Sequence, residues 1–258
     1  MNELLAALVL AVVQGVTEWL PISSSGHLEL LQHFLGYKTG LLFTLALHLG
    51  TLMAVFVYFG KDIVDIAREV LSLRFHTFHG REGVLLALAS VPAALFGFLL
   101  RDVIASVSGN LAMLAFGFLI TSVVLFIGAR APRRAKARLD IAGALLIGCM
   151  QVFSLFRGIS RSGTTISAGL LAGLPEKEAV RFSYLLSVPL ILGANLVSLG
   201  NVTLPPEMIL ATLVAFVVSL GVMHVSFTYV LNDRKNLRWF AVYTLLLAAA
   251  LGVYVALS

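Results

Sequence analysis

The residues best able to do chemistry stand in two short polar islands set inside long apolar sequence. The first contains Gln14, Glu18, Ser23, Ser24, Ser25 and His27; the second runs from Arg157 to Thr165 as Arg-Gly-Ile-Ser-Arg-Ser-Gly-Thr-Thr. In the second, Arg161 offers a bidentate charged fork, and Ser160, Ser162, Thr164 and Thr165 offer neutral donors. Gly158 and Gly163 let backbone approach closely, so the set suits an anionic oxygen cluster such as phosphate. The first island supplies the complementary groups. A charge near the centre of a bilayer costs about 2.5 to 3.5 kcal/mol, which makes Glu18 and Arg161 functional candidates coupled across the islands. A purely structural ion pair is the competing reading, and it leaves the hydroxyls, the glycines and the histidine around the pair unexplained.

The individual roles divide by chemistry. Ser23, Ser25 and Ser162 suit helix capping, because serine commonly bonds back to nearby backbone. Ser160 and Thr165, with Arg161 and Ser162, are the candidate phosphate ligands. His27 could act as a general base, as a nucleophile toward phosphorus, or as a buried hydrogen-bonding histidine. His48 lies in an otherwise apolar stretch and reads as a packed or pore-lining residue; His33, His76 and His79 read as loop or interface residues. Asp62, Asp65, Glu69, Asp140, Glu176 and Glu178 stand beside basic residues and read as solvated surface charge. Arg157 is either a second phosphate ligand or a residue facing polar surroundings.

The elements that position these islands follow from composition. Of the 258 residues, 59% are hydrophobic and only 12% charged, and the mean hydropathy is +0.99. An ordinary soluble domain carries about twice that charge, so the chain is a multi-span membrane protein. The net charge of +5 falls in short segments between apolar runs, the pattern of membrane topology and not of nucleic-acid binding. The single cysteine, Cys149, allows no intrachain disulfide and no cysteine metal cluster. The N-terminus lacks a basic segment and a small-residue cleavage site, so it reads as retained.

The order of elements repeats. Leu4 to Val13 is apolar but too short to cross a bilayer, which needs about 20 helical residues. A turn from Pro21 to His27 and a returning run from Leu28 to Leu35 make a re-entrant helical hairpin, tolerable at membrane depth only where protein or a wet cavity surrounds its tip. Spans follow at Leu41 to Phe59, Gly83 to Leu100 and Leu111 to Ala129. After a basic linker, Arg130 to Asp140, the pattern recurs: a hairpin from Ile141 to Phe156 and Ile166 to Leu174, then spans at about Phe182 to Leu199, Met208 to Leu231 and Trp239 to Leu257. Gln14, Ile22, Ser23, Ser25 and Gly26 recur as Gln151, Ile159, Ser160, Ser162 and Gly163 at one constant offset. The expected architecture is all-α: six transmembrane helices plus two re-entrant hairpins meeting near mid-membrane, in two inverted repeats. Residues 1–130 form the first, with its hairpin over about 3–35, and 140–258 the second, with its hairpin over about 141–174. Placing Lys and Arg on the cytoplasmic side puts the Arg130 linker, the Lys61 to Glu82 loop, Lys177 and Arg181, and Arg234 to Arg238 inside. Both termini then face outward.

Gln14-x-x-x-Glu18, the run Leu-Pro-Ile-Ser-Ser-Ser-Gly-His27, and Gly158-Ile-Ser-Arg-Ser-Gly-Thr-Thr165 together resemble the undecaprenyl-diphosphate phosphatase family, also called bacitracin-resistance proteins. The resemblance extends through Leu49-Gly50-Thr51 and Arg181-Phe-Ser-Tyr-Leu-Leu-Ser-Val-Pro189 to essentially the whole chain. Arg157 stands where that family usually has proline, and Gln14 leaves a single carboxylate in the first motif. The resemblance implies a cell-membrane hydrolase converting undecaprenyl diphosphate, or related polyprenyl diphosphates, to the monophosphate and phosphate, so recycling a cell-wall carrier lipid and countering bacitracin. It also implies dependence on magnesium or calcium, a site opening outward, and often a homodimer.

Under that reading Arg161 clamps the phosphates, Gln14 and Glu18 hold the cation, and Ser24 and His27, three residues apart, supply the attacking group or its base. A competing reading from another class is a transporter or flippase, since hairpins meeting at mid-depth also build alternating access. Glu18 and His27 opposite Arg161 favour the hydrolase, because a carrier needs only binding groups.

Overall fold

The computed structural model describes residues 3–36, 39–133, 138–198 and 205–258, and every regular element among them is helical. Thus Met1, Asn2, Lys38, part of the basic linker and Leu199 lie outside the described residues.

The first island is carried by a hairpin of two short helices. α1 (Glu3–Thr17) is apolar and breaks ahead of Pro21; α2 (Ser24–Leu35) starts at an N-cap, Ser23, whose hydroxyl accepts from the Gly26 amide. Gly36 closes α2 in the left-handed conformation at φ 62. The second island has the same build. α8 (Ile141–Phe153) begins on the Asp140 cap, and α9 (Arg161–Leu171) begins on Ser160, whose hydroxyl accepts from the Gly163 amide at 3.0 Å.

Among the described residues five helices are long and apolar enough to cross a membrane: α3 (Leu41–Tyr58), α5 (Phe78–Leu99), α7 (Leu111–Ala129), α11 (Pro206–Val225), lengthened by a π-turn to Val230, and α12 (Leu237–Leu257), preceded by a 3₁₀ turn from Arg234. Large apolar side chains stand exposed along them, among them Val57, Leu95, Phe98, Val123, Val217 and Leu246. In water these would be unfavourable; against hydrocarbon they are the expected surface. The chain is an all-helical, multi-pass membrane protein. α10 (Glu176–Ser198) contains the remaining expected span but opens with a charged turn.

Two helices lie in segments read from sequence as loops. α4 (Gly60–Leu71) occupies the expected Lys61 to Glu82 loop, its Ile63 and Ile66 packed against the main core. α6 (Arg101–Val107) follows the second expected span. α5 also starts earlier than Gly83, at Phe78, capped by Thr77. The reason is electrostatic as well as apolar. Glu82, in the first turns of α5, receives two hydrogen bonds from Arg181, at 2.6 and 2.9 Å, and Asp62 on α4 binds the same guanidinium. Asp62 therefore is not solvated surface charge, and neither is Glu176, which accepts from the buried Arg234 at 2.6 Å. These pairs staple α4, α5 and α10, and join α10 to the start of α12.

Packing crosses between the two hairpin-bearing halves. α1 lies against α11 and α3, whereas α8 lies against α5. Close contact depends on absent side chains: a Cβ at Gly148 on α8 would come within 2.6 Å of the Ala89 carbonyl on α5, and one at Gly50 on α3 would strike the Thr212 carbonyl on α11. α7 and α12 form the remaining extensive contact, and α9 sits among α7, α8 and α10.

Candidate functional site

Both islands emerge at helix breaks, and those breaks touch. Glu18 sits one turn beyond Gln14, its amide bonded to the Gln14 carbonyl at 3.0 Å, so their side chains share a face. Gln14 Nε2 donates to Glu18 Oε2 at 3.0 Å, and Ser24 Oγ, from the first turn of α2, donates to the same oxygen at 2.5 Å. Arg161 reaches across from α9 to donate through Nη2 to Glu18 Oε1 at 2.7 Å. Glu18 is only 7% exposed, and three donors from three helical segments converge on its two oxygens. A buried carboxylate needs that many partners.

Arg161 is held as firmly. Its Nη1 donates to the Ser183 carbonyl of α10 at 3.1 Å, and its guanidinium lies 5.7 Å from the centre of the Trp19 ring. Tyr184, next to Ser183, donates to the Trp19 carbonyl at 2.8 Å and edges against that indole. Ser162 Oγ donates to the Leu20 carbonyl at 3.0 Å, tying the second tip to the first. The candidate phosphate ligands other than Arg161 are buried. Ser160 caps α9, Ser162 binds Leu20, and Thr165 donates to the Arg161 carbonyl at 2.8 Å and lies 2.6 Å from Ser183 Oγ. Their hydroxyls face the protein's own groups and fix the turn that presents the arginine.

His27 lies beside this cluster with both ring nitrogens engaged. Nδ1 is 2.7 Å from the Ser23 carbonyl, which can only accept, so Nδ1 carries the hydrogen; Nε2 meets the Tyr243 hydroxyl of α12 at 2.7 Å. The two rings stack at 5.7 Å. Among the described residues His27 makes no hydrogen bond to Ser24; the group on the Ser24 hydroxyl is Glu18.

His48 requires correction. Sequence made it a packed or pore-lining residue, but its Nε2 stands 3.7 Å from Glu18 Oε2. α3 places it there because Gly50 lets that helix close on α11. Nothing local could have told this from ordinary packing; the available signal was a histidine in a helix without Asp, Glu, Lys or Arg. Tyr243, Ser183 and Thr121, whose hydroxyl bridges the Gly158 carbonyl and the Ser160 amide, were also missed, each reading as an ordinary span residue. Arg157, left open between phosphate and polar surroundings, forms an ion pair with Glu29 of α2 at 2.6 Å, and Glu29 also accepts from the Gly109 amide.

A divalent cation fits the donors here. Gln14 Oε1 is buried without a hydrogen-bond partner, beside a carboxylate, and hydroxyl and imidazole groups are adjacent. Among the described residues no group of three or more His, Cys, Asp and Glu converges, so such a site has to use the amide oxygen.

Comparison with known proteins places the chain. The family model described as bacitracin resistance protein BacA matches residues 7–250. The undecaprenyl-diphosphatase of Rubrobacter xylanophilus is 41% identical, with all of both chains covered. That of Alcanivorax borkumensis is 38% identical over 97% of this chain and 98% of its own, and that of Thermosipho melanesiensis 35% over 93% and 95%. With both polar tips inside the matched range, the chain belongs to the bacitracin resistance protein BacA family.

Proposed function

We propose that this protein is a membrane phosphatase that hydrolyses undecaprenyl diphosphate to undecaprenyl phosphate and inorganic phosphate, returning a carrier lipid to cell-wall synthesis and conferring bacitracin resistance. The observation that carries the reading is the Glu18 carboxylate bonded at once to a serine hydroxyl and to an arginine from the other tip, 2.5 and 2.7 Å away. A carrier needs the arginine; a hydrolase needs the hydroxyl on a base as well.

In this reading Arg161 turns its guanidinium to the diphosphate and, in a loose transition state, stabilises charge spread over the phosphoryl oxygens. The free amides opening α9 add the positive end of a helix to the same place. Glu18 takes the Ser24 proton as Ser24 Oγ attacks the terminal phosphorus, the bridging P–O bond breaks and the lipid monophosphate leaves, and a water deprotonated by Glu18 then hydrolyses the phosphoserine to inorganic phosphate; where a water attacks directly, Glu18 takes its proton and the same bridging bond breaks in one step. His27, its nitrogens committed to Ser23 and Tyr243, orients the start of α2. Gln14 and Glu18 would hold a magnesium or calcium ion, which would neutralise charge on the phosphate.

The same reading orders the membrane. The two short hairpins enter from opposite faces and meet near mid-depth, with α10 as sixth span, in inverted repeats 1–130 and 140–258. Two things support it: the reciprocal packing of α1 on α11 and α8 on α5, and the recurrence of Gln14 to Gly26 at Gln151 to Gly163. The charge bias of the loops supports both termini and the site opening outward, in a cell membrane.

Phosphate release from undecaprenyl diphosphate by purified protein in detergent, with and without chelator, tests the activity where no compartments exist. Release that chelator and Arg161→Ala both abolish is expected. A folded native chain that binds the lipid diphosphate without releasing phosphate would overturn it in favour of transport.

A further inference from the structure

Where α7 ends and α12 begins, the chain encloses a hollow of about 210 Å³. Arg130, Arg133, Arg234, Lys235 and Arg238 line it with two alanines, and among the described residues no acid does. Arg234 is neutralised by Glu176, which lines the adjoining cleft together with Asp233, and the Asp233 carboxylate caps the Lys235 amide. The other four cations make no ion pair among the described residues, whereas Arg161 and Arg181 each lie on a carboxylate. Membrane sidedness asks for basic residues on this face, but not for four unpaired cations converging on one hollow. Clustered like charges repel, and an anion seated among them relieves the repulsion.

The hollow continues into apolar surface. Helical spacing carries one face of α7 from Arg130 through Phe126, Val123 and Leu119, and one face of α12 from Arg238 through Val242, Leu245 and Ala249. Leu119, Leu245 and Ala249 line a second concavity, of about 290 Å³ and apolar throughout. Leu119 and Ala249 each lie about 16 Å along their helices from Arg130 and Arg238, at 1.5 Å per residue. One leaflet, half of a hydrocarbon core about 30 Å thick, has that depth. Beside Arg238, Trp239 is 72% exposed and marks the headgroup level, where an indole is favoured. The Arg130 guanidinium lies over the Phe126 ring at 5.5 Å, at the junction of the charged and apolar stretches.

We propose that this groove binds one anionic phospholipid of the adjoining leaflet, its phosphate held by Arg130, Arg133, Lys235 and Arg238 and one acyl chain lying along α7 and α12 as far as Ala249. On the topology proposed above, that leaflet is the cytoplasmic one. A free phosphate would use only the basic end; the apolar run, one leaflet deep, commits the site to a lipid. The bound lipid braces α7 against α12, the pair that brings Thr121 to the second tip and Tyr243 to the first.

The test is native mass spectrometry of the full-length, delipidated protein in detergent, titrated with phosphatidylglycerol or phosphatidylcholine and then challenged with inorganic phosphate. One phosphatidylglycerol is expected to bind in preference to phosphatidylcholine and to resist displacement by phosphate. Replacing Arg130, Lys235 and Arg238 together by glutamine should weaken that lipid about 10²-fold, at roughly fivefold per charge. All three side chains are exposed, so the fold does not depend on them. The control, Lys61→Gln with Arg68→Gln on the exposed side of α4, should leave the affinity unchanged. Ala249→Phe fills the apolar end and should weaken phosphatidylglycerol but not its dihexanoyl analogue, whose chains are too short to reach it. Equal binding of the two lipids, equal losses in the triple variant and the α4 control, or ready displacement by inorganic phosphate would overturn the proposal. So would a dimer that covers this face and takes up no lipid. Binding is read without turnover, so its failure leaves the phosphatase reading untouched, and a protein that releases no phosphate can still show the lipid site.

Discussion

The two tips are built on one plan and carry opposite chemistry. Ser24 and Arg161 occupy the same position in their respective halves, each immediately after a serine that caps the returning helix. Glu18 has Leu155 as its counterpart, and His27 has Thr164. Most telling is the glutamine. Gln14 grips Glu18, whereas Gln151, fully buried at the matching place in α8, has a hydrogen-bond partner for neither its nitrogen nor its oxygen. The backbone strain is divided as well: Ser23 is held at φ 70 while Ser160 is extended at φ −74, and in the second tip the positive φ falls to Gly158, at 89. A shared scaffold thus holds one tip that carries the carboxylate and the hydroxyl and another that carries the guanidinium.

Substitutions can break or sharpen this contrast. The largest effect is expected at the matched pair. Arg161→Ala should lower phosphate release by at least about 10² to 10³, because clamp and charge stabilisation disappear together and Glu18 loses its counter-ion. Ser24→Ala should lose about 10² or more, and no more than Arg161→Ala. An Arg161→Ala protein that keeps most of its turnover would end the distinction between the tips. Next comes backbone geometry. Gly158→Ala should destabilise by about 2 kcal/mol or more in thermal unfolding, since a Cβ there would meet the Leu114 carbonyl at 2.6 Å as well as an unfavourable φ. Ser23→Gly relieves strain but loses a cap, and should stay within about 1 kcal/mol of native.

The glutamines make the sharpest comparison. Gln14→Leu should cut activity about tenfold or more by removing a donor and a ligand from Glu18, while Gln151→Leu should leave activity intact and stability unchanged or about 1 kcal/mol higher. Activity assays and melting curves on the two variants settle whether both tips take part in chemistry.

The smallest effect concerns an ion pair away from the tips. The Arg234 guanidinium hydrogen-bonded to Glu176 holds that carboxyl below its ordinary value of 4.5. A carboxyl lowered in the folded state stabilises above the ordinary value and loses that contribution as pH falls through its folded value. Glu176→Gln should therefore cost about 0.5 to 1 kcal/mol near neutral pH, with the difference from native fading in melts run at progressively acid pH.

The tips were legible because polar residues interrupting apolar sequence demand a reason, and the structure brings Gln14, Ser24 and Arg161 together on Glu18. The partners from other helices were not. His48, Tyr243 and Ser183 reach the tips only after α3, α12 and α10 pack, and each is one of several polar residues on its span, indistinguishable in sequence from those that merely bond their own helix. Glu29 escaped notice because, within the returning run, it reads as an isolated acid until Arg157 is seen beside it. α4 had a usable signal: Ile63, Ile66 and Val70 recur at helical spacing in a segment read only for its charges.

The Glu18–Arg161 pair bears finally on product release. In the resting protein the guanidinium is already neutralised by a carboxylate 2.7 Å away, so a ligand gains it only by competing with that carboxylate. A lipid diphosphate brings two phosphate groups and more negative charge to this contest than the monophosphate left after cleavage. On the proposed mechanism the clamp would open for the more highly charged lipid and close on itself once one phosphate has gone. Turnover would then reset the site without a separate moving lid, and inhibition by accumulated lipid monophosphate would be weak.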